Sequence, residues 1–360
     1  MSGQRDLVVI GGGVIGLACA WRAASRHWSV TVVDPAPGSG ASHAAAGMLC
    51  PVTEVRYGEE PLLALALKSA RRWPAFAAQL FEATGIDVGY RTDGTLAVAF
   101  DDDDLVALDE LGRFQASLGL QVERLRAREC RVLEPQLSPR VRGGFHVPGD
   151  HQVDSRRLLA ALVAACQRTG VRVEQRRVAS MQDDTVRRAD RVVLAAGCWS
   201  SSLNDEVPVR PVKGQILRLR FDPTEPPLAH TVRAVVQGRS VYLVPRADGE
   251  LVVGATVEEQ GFDTTVTAGA VRGLLDAAIE VVPGAQDLEL VESIAGLRPG
   301  TPDNAPIVGP SARDSRVIHA SGHYRNGVLL TPVTADAVAA FLADGIVPPV
   351  VAPFGLGRFR

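Results

Sequence analysis

The sequence predicts an α/β fold in which a parallel-sheet domain is interleaved with an antiparallel-sheet domain. Three observations carry this expectation. The stretch from Asp6 to Asp34 reads strand, Gly-rich turn, helix, strand. RVVLAAG at 191–197 and the run Arg316 to Ala320 read as further buried strands of the parallel type. Between them, from Gly214 onward, short β-rich segments separated by Pro, Asp and Gly read as an antiparallel sheet. Parallel character at both ends and in the middle, interrupted by a β-rich insertion, implies domains that share the chain discontinuously. The expected division is 1–60, 141–205 and 290–360 in one domain, and 61–140 and 206–289 in the other.

The first stretch has the form of a Rossmann-like dinucleotide site. Leu7 to Ile10 is a short apolar run, Gly11, Gly13 and Gly16 fit G-x-G-x-x-G, and Val14 to His27 has helical periodicity. Gly11 permits the tight turn, Gly13 lets the backbone approach a pyrophosphate, and Gly16 lets the helix pack closely on the strand. The helix N-terminus then offers unpaired N–H groups and a positive dipole to phosphate. Asp34 follows the strand Val30 to Val33, where a carboxylate accepts hydrogen bonds from a ribose diol and repels a 2′-phosphate, so NADP is disfavoured. The motif alone does not separate FAD from NAD.

The segment 35–49, PAPGSGASHAAAGML, is rich in small residues and suits close approach to a bulky ligand. Leu62 to Phe81 reads as a helix interrupted at Pro74, Thr95 to Phe100 as a strand, and Asp103 to Leu118 as a helix whose acidic start, Asp101 to Asp104, is solvated. Ser155 to Arg168 has an apolar face at helical spacing, and Val171 to Glu174 follows as a strand. In the insertion, Gln215 to Leu219, Ser240 to Val244 and Glu250 to Ala255 are strands, with a hairpin turn at Asp248-Gly249. Ala268 to Val281 is a helix, and Asn326 to Ala343 closes the chain as another, with Pro332 near its start.

Composition narrows the function. A chain of 360 residues, 46% hydrophobic and 22% charged, buries a large core. A net charge of −3 gives no electrostatic case for nucleic acid or an anionic membrane, and no apolar run is long enough to span one. Residues 1–20 resemble an export signal only superficially. Asp6 and four glycines interrupt the apolar core, and the nucleotide turn accounts for them, so a cytoplasmic protein is expected. Five cysteines without metal-ligand spacing are expected as reduced thiols, and no metal site is expected.

Seven segments together resemble the D-amino acid oxidase superfamily of FAD enzymes, and within it the glycine oxidases of thiamine biosynthesis. They are VVIGGGVIG at 8–16, SHAAAGML at 42–49, PVKGQ at 211–215, YLVPR at 242–246, LVVGAT at 251–256, GLRPGTPDNAPIVG at 296–309 and GHYRNGVLLTP at 322–332. The first is shared by many flavoproteins, whereas the last two, in this order and with the others, are specific. The resemblance covers nearly the whole chain. It implies a glutathione reductase-type FAD-binding domain, a D-amino acid oxidase-like overall fold, noncovalent FAD and a homotetramer.

By the same resemblance, Arg298 holds a substrate carboxylate, a role that suits two parallel guanidinium N–H donors. Tyr242 contacts that carboxylate and walls the cavity. Arg325 is a further contact, with Asp336 as its structural alternative partner. Gly11, Gly13, Val14, Ile15, Gly16, Asp34, Pro35, Ala41, Ser42, Ala46, Gly47, Met48, Val178, His323, Arg325, Asn326, Gly327, Val328 and Leu329 are the implied FAD contacts. Val178 acts through its backbone near the adenine, and His323 through packing rather than proton transfer. Asn326 and Gly327 are expected to start the last helix facing the flavin, where its N-terminus stabilises negative charge.

The implied reaction oxidises glycine, a small D-amino acid or N-methylglycine to an imine. Hydrolysis then yields the α-keto acid and ammonia or amine, with dioxygen as electron acceptor and hydrogen peroxide as product. The rival readings are a D-amino acid dehydrogenase passing electrons to a quinone, an oxidase of the sarcosine type, and a noncatalytic nucleotide-binding scaffold. Two residues depart from the family pattern. Val257 and Ser240 stand where a methionine and a histidine are expected beside the active site, and their smaller size predicts a wider cavity.

Overall fold

A computed structural model describes residues 5–222, 228–236 and 238–359. One six-stranded sheet has the order β15-β16-β9-β1-β2-β8, formed by β1 (Asp6–Ile10), β2 (Ser29–Val33), β8 (Arg172–Glu174), β9 (Arg191–Leu194), β15 (Ile307–Pro310) and β16 (Val317–Ser321). All its pairs are parallel except β15 with β16 at the edge. Parallel neighbours need crossovers, and the helix Val14–Ala24 provides the first of them. Both faces of the sheet are covered: Leu7 and Val9 enter one apolar core while Val8 and Ile10 enter another. That is why these strands read as unbroken apolar runs rather than alternating ones.

An eight-stranded sheet has the order β14-β10-β13-β12-β11-β4-β6-β5. Its strands are β4 (Thr95–Ala99), β5 (Glu123–Arg126), β6 (Gly143–Val147), β10 (Arg210–Arg220), β11 (Thr231–Val236), β12 (Arg239–Pro245), β13 (Glu250–Gly254) and β14 (Glu289–Gly300). Its pairs are antiparallel except β4 with β11. Leu274, Ala278 and Val281 of the helix Ala268–Val281 fill the core on one face. A two-residue pair, β3 (Met48–Leu49) with β7 (His151–Gln152), ties the small-residue segment to the chain before the helix Ser155–Arg168.

Local signals and structure agree where the signal was periodic. The helices Ser155–Arg168 and Ala268–Val281 have the bounds their apolar spacing predicts. The Asp248-Gly249 hairpin joins β12 to β13, with Gly249 at φ +84°. Helix ends differ. The first helix stops at Ala24, before His27, which takes φ +66°. The region read as one interrupted helix is two, Glu60–Ala70 and Trp73–Thr84, with Pro74 in the first turn of the second, where its missing N–H costs nothing. The last helix begins at Thr331 instead of Asn326, and residues 324–326 form a single 3₁₀ turn.

Sheet pairing and core packing cross the expected division of the chain. β6 and β14 fall in stretches assigned to the parallel-sheet domain, yet β6 pairs with β4 and β5, and β14 runs along β10. Conversely, the helices between Glu60 and Thr84, assigned to the second domain, bury Leu62, Leu65, Trp73, Phe76 and Leu80 in the core of the parallel sheet. A strand belongs to the sheet that satisfies its backbone hydrogen bonds, and local composition does not reveal which partner does so.

Candidate active site

A cavity of about 480 Å³ runs from the carboxyl ends of β1, β2, β9 and β16, at Ile10, Val33, Ala195 and Ser321, to Gly214 and Ile216 on β10, Tyr242 on β12 and Arg298 on β14. The carboxyl edge of a parallel sheet is where a ligand meets helix N-termini and open loop ends.

At the sheet end the glycines differ in what an added side chain would meet. Gly11 takes φ +113°, and a side chain there would collide with the Ala195 carbonyl. Gly16 lies behind the cavity wall rather than on it; a side chain there would collide with the Gly11 carbonyl, so its role is helix packing. Gly12, unassigned before, is pressed against Pro37, whose Cα would lie 2.9 Å from an added Cβ. Gly13 is open, with only Ser42 Oγ in reach of an added Cβ, at 3.2 Å. The Val14 N–H donates to the same Ser42 Oγ at 3.2 Å. Asp34 accepts the Gly12 N–H at 2.7 Å on one carboxylate oxygen and the Ala36 N–H at 2.8 Å on the other. Each oxygen keeps a second acceptor site for a ribose hydroxyl. Pro35 and Val178 line the same end.

The middle of the cavity is walled by Ile15, Ala41, Ser42, Ala46, Gly47 and Met48 on one side and by His323, Asn326, Gly327 and Val328 on another. Gly47, at φ +74°, sits against the Val153 carbonyl, which no side chain would allow. The segment is braced by Arg246, which sequence reasoning missed. This buried guanidinium donates to the carbonyls of Ala46 at 2.5 Å and Val153 at 2.9 Å and to the Gln152 side chain at 3.0 Å. Burial pushes its pKa down to about 10, which Asp154 partly opposes, so it stays a cation. His323 donates to or accepts from the Thr334 hydroxyl at 3.0 Å, and burial pushes its pKa down to about 3, so it is a neutral packing residue. Leu329 is off the cavity. Its side chain lies in the core, and its carbonyl accepts Trp73 Nε1 at 2.9 Å and Ser69 Oγ at 2.6 Å.

At the far end Arg298 and Tyr242 meet, each laid over a glycine. A side chain on Gly214 would collide with the Arg298 guanidinium, and one on Gly254 with the Tyr242 ring. Arg298 Nη1 donates to the Thr256 carbonyl at 3.1 Å and the Lys213 carbonyl at 3.4 Å, which orients the fork. Burial raises the Tyr242 phenol above its ordinary value, with Arg298 pulling the other way, so the hydroxyl is a protonated donor. Arg325 lines this end but does not meet Asp336, which pairs instead with Arg22 and Arg72. Its partner is Glu54, at 3.4 Å. Glu54 also lines the cavity, and no pattern in PVTEVR marks it in the sequence.

The two residues expected to widen the cavity do not reach it. Val257 is 65% exposed, and neither it nor Ser240 lines the wall. Ser240 shares the face of Tyr242 but lies at the exposed start of β12, and Val257 lies beyond the end of β13 at Gly254, so neither comes to the wall. Val257→Met is therefore expected to leave the substrate profile unchanged in a side-by-side rate comparison. A narrowed range would return Val257 to the site.

An open glycine turn at a helix N-terminus, a strand-end acid with spare acceptor sites and a long apolar wall fit an FAD. Comparison with known proteins agrees. Residues 6–341 match the DAO family, described as FAD dependent oxidoreductase. The chain belongs to this family. Its cofactor is FAD, which resolves the choice the motif left open.

Among other DAO proteins, the glycine oxidase of Geobacillus kaustophilus is 35% identical over 375 residues, covering 99% of this chain and 98% of the relative. The crystal structure of glycine oxidase from Geobacillus kaustophilus superposes with a TM-score of 0.90, at 34% identity and 98% coverage of both chains. The bifunctional protein ThiO/ThiG of Trichormus variabilis is 35% identical over 369 residues, and this chain spans 99% of itself but only 55% of that relative. All five cysteines are buried free thiols. No helix among the described residues is long and apolar enough to cross a membrane.

Proposed function

We propose that this chain oxidises glycine and small D-amino acids or N-methylglycine, giving the α-keto acid, ammonia or amine, and hydrogen peroxide. The observation that carries the reading is the Arg298 fork, oriented by two backbone carbonyls beside the protonated Tyr242 hydroxyl, at the end of a cavity shaped for FAD. Two parallel N–H donors take both oxygens of a carboxylate, and Tyr242 adds a neutral donor. Holding the carboxylate fixes the α-carbon relative to the ring, and positioning of this kind supplies most of the rate without a side-chain base. Bound FAD supplies the two-electron acceptor for the α-hydrogen. With the carboxylate clamped and the side chain held to one side, only one enantiomer turns its α-hydrogen to the ring, and L-enantiomers are expected to be inert.

Ile216, Met48 and Tyr242 form an apolar cluster around the clamp, which supports small uncharged side chains. The name of the similar glycine oxidase supports glycine as substrate, and the resemblance to the glycine oxidases of thiamine biosynthesis supports its imine as a precursor for the thiazole of thiamine. We assign Arg298 and Tyr242 to the substrate, the walls from Gly11 to Met48 and from His323 to Val328 to the cofactor, a homotetramer by resemblance, and a cytoplasmic setting from the reduced thiols. The test is a peroxide-coupled screen of glycine, sarcosine, D-alanine, D-proline and their L-counterparts, run with anaerobic flavin bleaching. Peroxide from glycine is the expected result. Bleaching without peroxide in air would replace the oxidase with a dehydrogenase, and absence of bleaching by every amino acid would end the reading.

A further inference from the structure

The substrate end of the cavity holds more charge than a carboxylate clamp needs. Glu54 receives the Arg233 guanidinium on one carboxylate oxygen and lies 3.4 Å from Arg325 Nε on the other. These side chains are only 14%, 23% and 16% exposed for Glu54, Arg233 and Arg325 respectively. Arg233 stands opposite Tyr242 in the register of β11 with β12, and directly opposed residues share a sheet face. The loop that carries Glu54 is pinned in turn by Asp150, a buried carboxylate that accepts the N–H of Val52 at 3.0 Å, the N–H of Thr53 at 3.1 Å and the Thr53 hydroxyl at 2.5 Å.

The signs can be counted. Burial opposes ionisation of Glu54, but Arg233 and Arg325 overcome it and hold its pKa below the ordinary value. Burial raises Asp150 to about 6, against the hydrogen bonds from Thr53 and Val52. Arg233 and Arg325 both pair with the one carboxylate of Glu54. Arg298 donates to backbone carbonyls and pairs with no carboxylate among the described residues. Arg298 is thus the guanidinium at this end of the cavity without a carboxylate partner, which matches one substrate carboxylate.

We propose that Glu54 is a specificity-determining residue: by holding Arg233 and Arg325 it leaves Arg298 as the single guanidinium at this end of the cavity able to take an anion, and so restricts the site to amino acids with one carboxylate. The proposal rests on reading this end as an amino acid site. A buried guanidinium released from its partner recruits another anion, because an unpaired charge in a low-dielectric site is costly. Glu54→Gln would release Arg325 into the cavity.

The test uses the FAD-loaded protein and two unreactive probes, acetate and malonate, titrated by perturbation of the flavin absorbance. Steady-state kcat/KM for glycine and iminodiacetate is measured in parallel. The wild type is expected to bind malonate no tighter than acetate. Glu54→Gln should raise the malonate-to-acetate affinity ratio by about tenfold or more, with the iminodiacetate-to-glycine ratio moving the same way. The double variant Glu54→Gln/Arg325→Met should lose that gain. If Glu54→Gln fails to hold flavin, Arg325→Met alone decides: a neutralised Arg325 predicts an unchanged malonate-to-acetate ratio, and a fall in that ratio overturns the proposal. Strong preference of the wild type for malonate, or an unchanged ratio in Glu54→Gln, overturns it as well. Absence of any flavin bleaching by glycine would remove the amino acid reading while leaving the carboxylate titrations to decide the role of Glu54.

Discussion

Arg298→Ala is expected to keep its FAD and lose amino acid turnover. Arg298 sits on β14 opposite Val212, with its guanidinium over Gly214 and held by the carbonyls of Lys213 and Thr256. It reaches the substrate end of the cavity and not the nucleotide turn, so flavin content should survive its removal. The lost charge-assisted pair is worth about 1.5–3 kcal/mol, roughly 10- to 150-fold in binding. Loss of orientation lowers kcat further, because a misplaced α-carbon spends little time in a reactive pose. Arg298→Lys should recover only part, since an ammonium cannot grip both oxygens in one plane. The checks are flavin absorbance per protein and kcat/KM for glycine; unchanged kinetic efficiency in Arg298→Ala would remove Arg298 from the site.

Gly13→Leu is expected to yield folded protein without flavin. Gly13 takes φ −80°, which any residue tolerates, and an added Cβ would meet only Ser42 Oγ at 3.2 Å. The side chain would project into the space the turn leaves for a pyrophosphate. Gly11→Leu is the contrasting control. Its φ of +113° and the Ala195 carbonyl behind it make a side chain there a fault in the fold itself. Far-UV circular dichroism should therefore be native-like for Gly13→Leu and impaired for Gly11→Leu, with visible flavin bands absent in both. Gly13→Leu should also melt at a lower temperature than the wild type, because a ligand bound only to the native state stabilises it. Full flavin absorbance in Gly13→Leu would place the cofactor elsewhere.

Much of the cofactor end was legible without coordinates. Gly11, Gly13, Asp34, Ser42 and Met48 all line the cavity, because the turn, the strand end and the small-residue segment are each local patterns with local causes. Gly16 and Leu329 belonged to the same motifs but do not line the cavity, and both are packed behind it. Motif membership places a residue near a site without saying which way it points. Val257 shows the cost of ignoring that distinction, since its neighbour Thr256 presents a carbonyl to Arg298 while Val257 itself faces solvent.

By itself the sequence determined the βαβ nucleotide unit, the apolar parallel strands, the periodic helices and, through a resemblance spread over seven segments, the family. These follow from φ freedom at glycine, from side-chain periodicity and from residue order, all of which are written along the chain. Tertiary structure alone decided that β6 and β14 join the eight-stranded sheet, that Arg246 braces the Ala46 carbonyl across 200 positions, and that Glu54 pairs with Arg233 across 179. A charged side chain carries no mark of its partner. The partner is chosen by which groups the fold brings together out of water, where an unpaired charge would be too costly to keep.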